Sequence, residues 1–262
     1  ELDLVFKSEN IWAIIHFAAL KSVGESVKSP LLYYNNNIVS TLNLLEVMEK
    51  NNCNNLVFSS SATVYGNNPS PLKETMEIGR GITNPYGSTK VMIEMILRDI
   101  CRSNDKYKII SLRYFNPIGG HKSRLFGDNP LKPSNLMPHI VKVAKGESSK
   151  LKIYGGDYPT QDGTGVRDYI HVVDLAIAHE KALDSLKSGY HFYNVGTGQG
   201  TSVKKLVDTF IKVTGVDIPY DVVERREGDL AISMCDPSLA KVELGWEAKL
   251  DLEDMCRDSY SL

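Results

Sequence analysis

A serine, a tyrosine and a lysine offer the plainest chemistry in this sequence. Ser61 lies in the run Ser59-Ser60-Ser61-Ala62-Thr63-Val64-Tyr65-Gly66, and Tyr86 and Lys90 lie in Asn84-Pro85-Tyr86-Gly87-Ser88-Thr89-Lys90. A free phenol has a pKa of about 10, too high for a base at neutral pH. A nearby ammonium and the positive end of a helix both favour the phenolate, so the pair predicts a Tyr86 pKa lowered toward a useful value. Tyr-x-x-x-Lys is weak by itself: with 13 tyrosines in the chain, chance supplies about one such spacing. Its position adds to it.

The elements that must hold these groups can be read from pattern. Leu56-Val57-Phe58 reads as a buried strand ending in hydroxyls. Asn84 suits an N-cap and Pro85 the first helical position, which puts Tyr86 in the first turn and Lys90 one turn on, on the same face. Upstream, Glu1 to Asn10 reads as the tail of a helix, and Ile11 to Phe17 as a strand covered on both faces. Ala18-Ala19-Leu20-Lys21 leaves its carboxyl end, as either a close approach to a ligand or a simple tight turn. Ser29-Pro30 repeats the cap-and-proline signal for a helix to about Lys50. Inside it, Asn35-Asn36-Asn37 is unusual for a mediocre helix former; Asn36 turns its amide either toward a cofactor or to solvent. The Tyr86 helix runs to about Arg102, apolar nearly all round, so a second side is covered either by its own loops or by a partner subunit. Ile109 to Phe115 is a third strand. Strand, helix, strand, helix, strand predicts a doubly wound parallel α/β sheet, whose ligands sit at the carboxyl ends of the strands. After Asn116-Pro117 the texture changes, which places a domain shift near residue 116.

Composition narrows the function classes. The chain has 262 residues, 42% hydrophobic and 24% charged, with a net charge of −2. That is ordinary for a globular protein, offers no basic field for nucleic acid, and contains no apolar run long enough to cross a bilayer. Cys53, Cys101, Cys235 and Cys256 form no CxxC and read as reduced thiols of a cytoplasmic protein; the histidines show no metal spacing. His171 reads as a satisfied structural histidine. Gly196-Thr197-Gly198-Gln199-Gly200 is G-x-G-x-G and not G-x-G-x-x-G, so it predicts a tight strand-to-helix turn with Ser202 as cap. Arg167-Asp168 and Arg225-Arg226-Glu227-Gly228-Asp229 offer guanidinium forks, which suit phosphate oxygens or carboxylate neighbours on the surface.

Taken together, the segments Ala13 to Ser29, Asn55 to Gly66, Thr83 to Lys90, Leu112 to Pro117, Asn135 to Pro138, Asp162 to Leu175, Tyr193 to Gly198 and Arg225 to Leu230 closely resemble the UDP-glucose (UDP-galactose) 4-epimerases of the extended short-chain dehydrogenase/reductase family. The resemblance implies a partial NAD-binding Rossmann domain over 1–115, with about 165–182 packing back onto it, and a smaller mixed α/β UDP-sugar domain over 116–262. It makes Tyr86 the catalytic tyrosine, Lys90 the ribose-holding lysine that lowers the phenol pKa, and Ser61 the partner of the sugar 4-hydroxyl. Phe17, Ala18, Leu20, Lys21, Asn36, Ser59 and Phe115, with Tyr86 and Lys90, match NAD-contacting positions. Ala62, Thr63, Asn116, Asn135, Leu136, Lys152, Ile153, Tyr154, Arg167, Arg226, Asp229 and Ser233 match positions around the UDP-sugar, with the arginines facing its diphosphate. It implies a homodimer through the helices starting near Pro30 and Pro85, and no metal.

The implied reaction is transient oxidation at C4 with tightly bound NAD, interconverting UDP-galactose and UDP-glucose in galactose metabolism. Similar 4,6-dehydratases need an extra acid and base just after the serine or threonine; Ala62 and Thr63 stand there and transfer no protons usefully. The small Ser233 resembles members that also accept UDP-GlcNAc and UDP-GalNAc. The family's first strand, Gly-rich loop and helix find no counterpart in these residues. The expectation is therefore a truncated chain that binds NAD poorly and turns over slowly, or a UDP-sugar-binding module.

Overall fold

The computed structural model describes residues 1–127, 133 and 135–261. In chain order the elements are α1 (Leu2–Ser8), β1 (Ile14–His16), α2 (Val23–Lys28), α3 (Pro30–Tyr33), a π-helical turn (Tyr34–Val39), α4 (Ser40–Lys50), β2 (Asn55–Ser61), a 3-10 turn (Ala62–Tyr65), α5 (Pro85–Ser103) and β3 (Lys108–Tyr114). There follow β4 (Asn116–Ile118), α6 (Leu136–Ala144), β5 (Leu151–Tyr154), β6 (Val166–His171), α7 (Val172–Asp184), β7 (Gly189–Val195), β8 (Gly200–Ser202), α8 (Val203–Thr214), β9 (Tyr220–Val223), β10 (Ile232–Ser233), α9 (Ser238–Leu244) and α10 (Leu252–Tyr260).

Two compact units result. The first comprises Glu1–Asn68, Glu74–Tyr114 and His179–Asn194. Its sheet has the order β1-β2-β3-β7. β1, β2 and β3 run parallel, with Ile14 opposite Leu56, Leu56 opposite Ile109, and Ser61 opposite Tyr114. Leu56, Phe58, Ile93, Leu97 and Ile109 pack between strands and helices as its core. β1 is shorter than the apolar run Ile11 to Phe17 predicts. The Trp12 carbonyl accepts from Asn55 Nδ2 at 2.9 Å and Cys53 Sγ at 3.6 Å, so side chains take the place of a strand ladder there. Pro30 opens its helix as expected, but Ser29 makes no side-chain cap bond.

The run from Pro30 to Lys50 is helical throughout but not uniformly α. The Asn35-Asn36-Asn37 stretch winds into the π turn. Hydroxyls one turn on satisfy its carbonyls: Ser40 Oγ donates to Asn36 O, and Thr41 Oγ1 to Asn37 O at 2.7 Å.

The second unit comprises Pro69–Lys73, Phe115–Ala178 and Val195–Leu262. β6 is its centre: β10 and β4 pair with it in parallel, and β8 antiparallel. β5 and β9 form a separate parallel pair. Ile118, Ile140, Ile153, Leu206, Phe210 and Ile218 form its core. The segment returning to the first unit is His179–Asn194, later than the 165–182 read from the sequence, because β6 is held by its three neighbours in the second unit. The glycine run after β7 turns into β8 and α8 as expected, with Ser202 Oγ accepting from Lys205 N at 3.1 Å. The buried Asp168 carboxylate pins that turn, accepting from Thr197 N at 2.8 Å and Gly198 N at 2.9 Å.

Candidate active site

Ser61, Tyr86 and Lys90 come together in the first unit. β2 delivers its three serines at its carboxyl end, and Ser61 caps the 3-10 turn that follows. The α5 N-terminus forms as its sequence requires: Asn84 Oδ1 accepts from Gly87 N at 2.9 Å, and Pro85 occupies the first turn. At Gly87 a Cβ would lie 2.9 Å from Ile82 Cγ2 and 3.4 Å from Thr63 Cβ, so glycine brings the first turn of α5 close against the 3-10 turn.

Ser61 Oγ accepts from Thr63 Oγ1 at 3.0 Å and from Thr63 N at 3.3 Å. The Ser61 side chain acts on the Tyr86 phenol as a hydrogen-bond partner that pulls its pKa down. Burial acts against it and prevails, so the Tyr86 pKa stands above its ordinary value. This corrects the expected lowering by Lys90. The Lys90 ammonium is 5.8 Å from the Tyr86 ring centre and 4.7 Å from that of Phe58, and donates to the Ser59 carbonyl at 2.5 Å. Burial pushes its own pKa down to about 8, with Glu94 pulling upward.

Of the expected cofactor positions in the first unit, four are exposed. Phe17 is exposed, with its ring centre 4.7 Å from that of His179. Ala18, Lys21 and Asn36 are exposed too. The residue that organises them, unnoticed in the sequence, is Asn37. The π turn aims its side chain into the fold, where Oδ1 accepts from Leu20 N at 2.8 Å and from the Asn36 amide at 3.0 Å. Its Nδ2 donates to Leu20 O at 3.0 Å and to Thr89 Oγ1 at 3.1 Å, and Thr89 donates to Tyr86 O at 2.7 Å. The Asn run was the available signal; which asparagine turns inward depends on the π register. Lys90 is 2% exposed, and among the described residues its hydrogen bond is to Ser59 alone. Two N–H groups of a buried ammonium are left for neighbouring hydroxyls, which fits the ribose of a nicotinamide riboside. The chain contains no G-x-x-G-x-x-G run, so the fit is to that end of the cofactor.

The sugar-nucleotide candidates fall in both units. Ala62 and Thr63 lie in the 3-10 turn. In the second unit, Arg167 Nη2 is 3.8 Å and Arg226 Nε 2.9 Å from the two oxygens of Asp229. Two guanidiniums sharing one carboxylate leave a net positive charge, suited to an anion. The Arg226 guanidinium lies 4.8 Å from the Tyr154 ring centre. Ser233 on β10 stands in register with Arg167. Lys152 and Tyr154 share the exposed face of β5. Ile153, between them, is fully buried in the core, so its side chain is no ligand contact and only its backbone faces that way. Asn116 is exposed at the head of β4. Asn135 and Leu136 begin α6, half-buried, without a side-chain cap bond. Phe115 is buried in the second unit, its N–H on Val195 O at 3.3 Å. His171 is satisfied as expected, between Asp258 Oδ2 at 3.2 Å and Val173 N at 3.0 Å.

A family model described as GDP-mannose 4,6 dehydratase matches residues 1–259. The UDP-glucose 4-epimerase of Caenorhabditis elegans is 52% identical over 267 aligned residues, covering 99% of this chain and 76% of the relative. This chain belongs to the UDP-glucose 4-epimerase family. Among solved members, the epimerase of Bifidobacterium longum in complex with NAD+ and UDP superposes with a TM-score of 0.95 at 49% identity, covering 99% of this chain and 78% of that one. The UDP-Glc/GlcNAc 4-epimerase of Campylobacter jejuni superposes at 0.84 with 39% identity, covering 99% and 79%. Epimerase, not dehydratase, also fits the 3-10 turn: the Thr63 hydroxyl is committed to Ser61, and Ala62 carries no proton.

Proposed function

We propose that this epimerase interconverts UDP-galactose and UDP-glucose by transient oxidation at C4. The observation that carries the reading is the buried Lys90 ammonium one turn beyond Tyr86 on α5, beside the Ser61 end of β2, in a chain with epimerase relatives. NAD+, when bound, would supply the hydride acceptor for C4 and a positive charge that favours the Tyr86 phenolate. Tyr86 as phenolate would take the proton of the sugar 4-hydroxyl and return it to the 4-oxygen once the centre is restored. Ser61, its acceptor side filled by Thr63, has its one proton left to donate to the sugar 4-oxygen and so align it. Lys90 holds ribose hydroxyls with the N–H groups that Ser59 leaves over. Arg167 and Arg226 take the diphosphate, while Asp229 keeps both forks oriented.

The finer reading is a cytoplasmic homodimer serving galactose metabolism. All four cysteines are free and buried, as a reducing compartment allows, and no described helix is long and apolar enough to cross a membrane. The small Ser233 leaves room for an N-acetyl group, in keeping with the named substrates of the Campylobacter jejuni relative. Ser233→Tyr should abolish UDP-GlcNAc turnover and spare UDP-galactose; equal loss of both would remove Ser233 from specificity.

The test is incubation with UDP-galactose and NAD, with products separated by chromatography. Product identity decides. UDP-glucose without net NADH is expected. A dehydrated 4-keto-6-deoxy sugar, or no product at all, overturns the reading.

A further inference from the structure

Ser61 is held from both sides by one buried polar network that its own chemistry does not use. On the strand side, Ser60 Oγ donates to Glu94 Oε1 at 2.5 Å. Glu94 in turn accepts twice from Arg113, Nε to Oε1 at 3.0 Å and Nη2 to Oε2 at 2.7 Å. Both side chains are 2% exposed. On the turn side, Arg113 Nη1 donates to Tyr65 OH at 2.9 Å, and Tyr65 OH donates to Asn194 Oδ1 at 2.7 Å. The guanidinium lies between two rings, 5.0 Å from the centre of Tyr65 and 4.2 Å from that of Phe192. Burial pushes the Tyr65 phenol up to about 12, so it remains a donor at neutral pH.

The placement of these residues matters more than their bonds. Ser60 is the last strand residue before Ser61, and Tyr65 closes the 3-10 turn that Ser61 caps. Glu94 follows Lys90 by one turn of α5 and so lies on the same helix face. Arg113 sits on β3 in register with Ser60. One ion pair thus ties the end of β2, the turn beyond it and the helix of Tyr86 and Lys90. Such a pair is poorly explained by stability, since well-packed apolar residues of similar volume commonly serve a core as well or better.

We propose that Glu94 and Arg113, with Tyr65, are positioning residues that fix the Ser61 hydroxyl against Tyr86. The proposal rests on the epimerase reading only in taking Ser61 as the group that meets the sugar. A core pair of merely structural value makes a different prediction, and the two separate experimentally. The double variant Glu94→Leu/Arg113→Met keeps the volume and removes both charges. Its melting temperature should stay close to that of the parent. Its kcat on UDP-galactose should still fall by about tenfold to a hundredfold, the cost of a slightly misplaced reacting group, with KM changed less than about threefold. Tyr65→Phe keeps the ring and cuts the two hydroxyl bonds, and should lower kcat in the same sense. Hydrogen–deuterium exchange, run without substrate or cofactor, should show residues 61–66 exchanging faster in both variants, with residues 108–112 unchanged. A stable double variant with parental kcat and parental exchange at 61–66 overturns the proposal. If the double variant does not fold, Tyr65→Phe decides alone: unchanged exchange and kcat overturn it equally. A parent without turnover would count against the epimerase reading instead, and the exchange arm would still judge the network.

Discussion

Lys90 keeps an ammonium where burial works against the charge. Its pKa falls from 10.5 to about 8 because water is replaced by the Phe58 and Tyr86 rings, and Glu94 offsets only part of the loss. Between those values the unfolded chain binds a proton that the folded chain lacks, so the Lys90 contribution makes stability rise with pH across about 8 to 10.5. Below about 8 both states hold the proton and the destabilisation is complete. Lys90→Met should therefore stabilise the fold most at pH 7, with the advantage shrinking as pH rises. Urea midpoints at pH 7, 8 and 9 check this; a gain independent of pH would disprove it. Tyr86→Phe removes the proposed proton acceptor and should lower kcat by about a hundredfold to ten-thousandfold with little change in UDP affinity, read by kinetics and calorimetry. The pair itself was legible in the sequence, because an Asn-Pro cap and a one-turn spacing are local. The direction of the phenol's shift was not. It depends on how deeply the first turn of α5 settles beside Phe58 and Thr63, and that is decided by residues far apart in the chain.

At the scale of elements, the long helix after Pro30 shows how a local pattern hides a functional shape. Its apolar spacing announces a helix, and the Asn run announces a disturbance, but the π turn needs partners to be stable. Those partners are the Ser40 and Thr41 hydroxyls on the loosened carbonyls, and the Leu20 backbone received by Asn37. Asn37→Ala would leave the Leu20 N–H and C=O without the side chain that holds them, at a cost of about 1–3 kcal/mol in urea unfolding. A change below about 0.5 kcal/mol, the usual range of a surface substitution, would contradict it. β1 joins the same arrangement through His16, whose Nε2 meets Thr41 Oγ1 at 2.9 Å. Burial, with the nearby Lys90 charge, lowers its pKa from 6.5 to about 4. Between those values only the unfolded chain gains the proton, so stability falls as pH drops from about 6.5 toward 4. His16→Gln keeps a polar contact and cannot titrate. Its stability should depend less on pH than the parent's over that window; parallel curves would show that other groups carry the acid sensitivity.

At the scale of the molecule, the sequence made the parallel α/β class visible, because strand and helix periods alternate cleanly up to Phe115. It could not say which later segment returns to the first unit, since that choice rests on β6 finding three neighbours in the second. Nor could it choose what covers the second side of α5. The structure leaves Met92 and Met95 exposed on α5, and Val27, Leu31 and Leu32 exposed on α2 and α3, which pack beside it. Exposed apolar residues on three packed helices favour the proposed partner over loops of the same unit. In the proposed homodimer a second copy would bring the identical surface about a two-fold axis and cover both at once. Leu31→Asp with Met95→Asp places two carboxylates on each side of that surface, four like charges in a space that must lose its water. Light scattering at micromolar concentration should give a dimer for the parent and a monomer for the double variant. Ser61, Tyr86 and Lys90 all come from one chain, so the monomer should keep its hydrogen-exchange protection in β2 and β3. A parent that runs as a monomer, or a double variant that remains dimeric, would place the contact surface elsewhere.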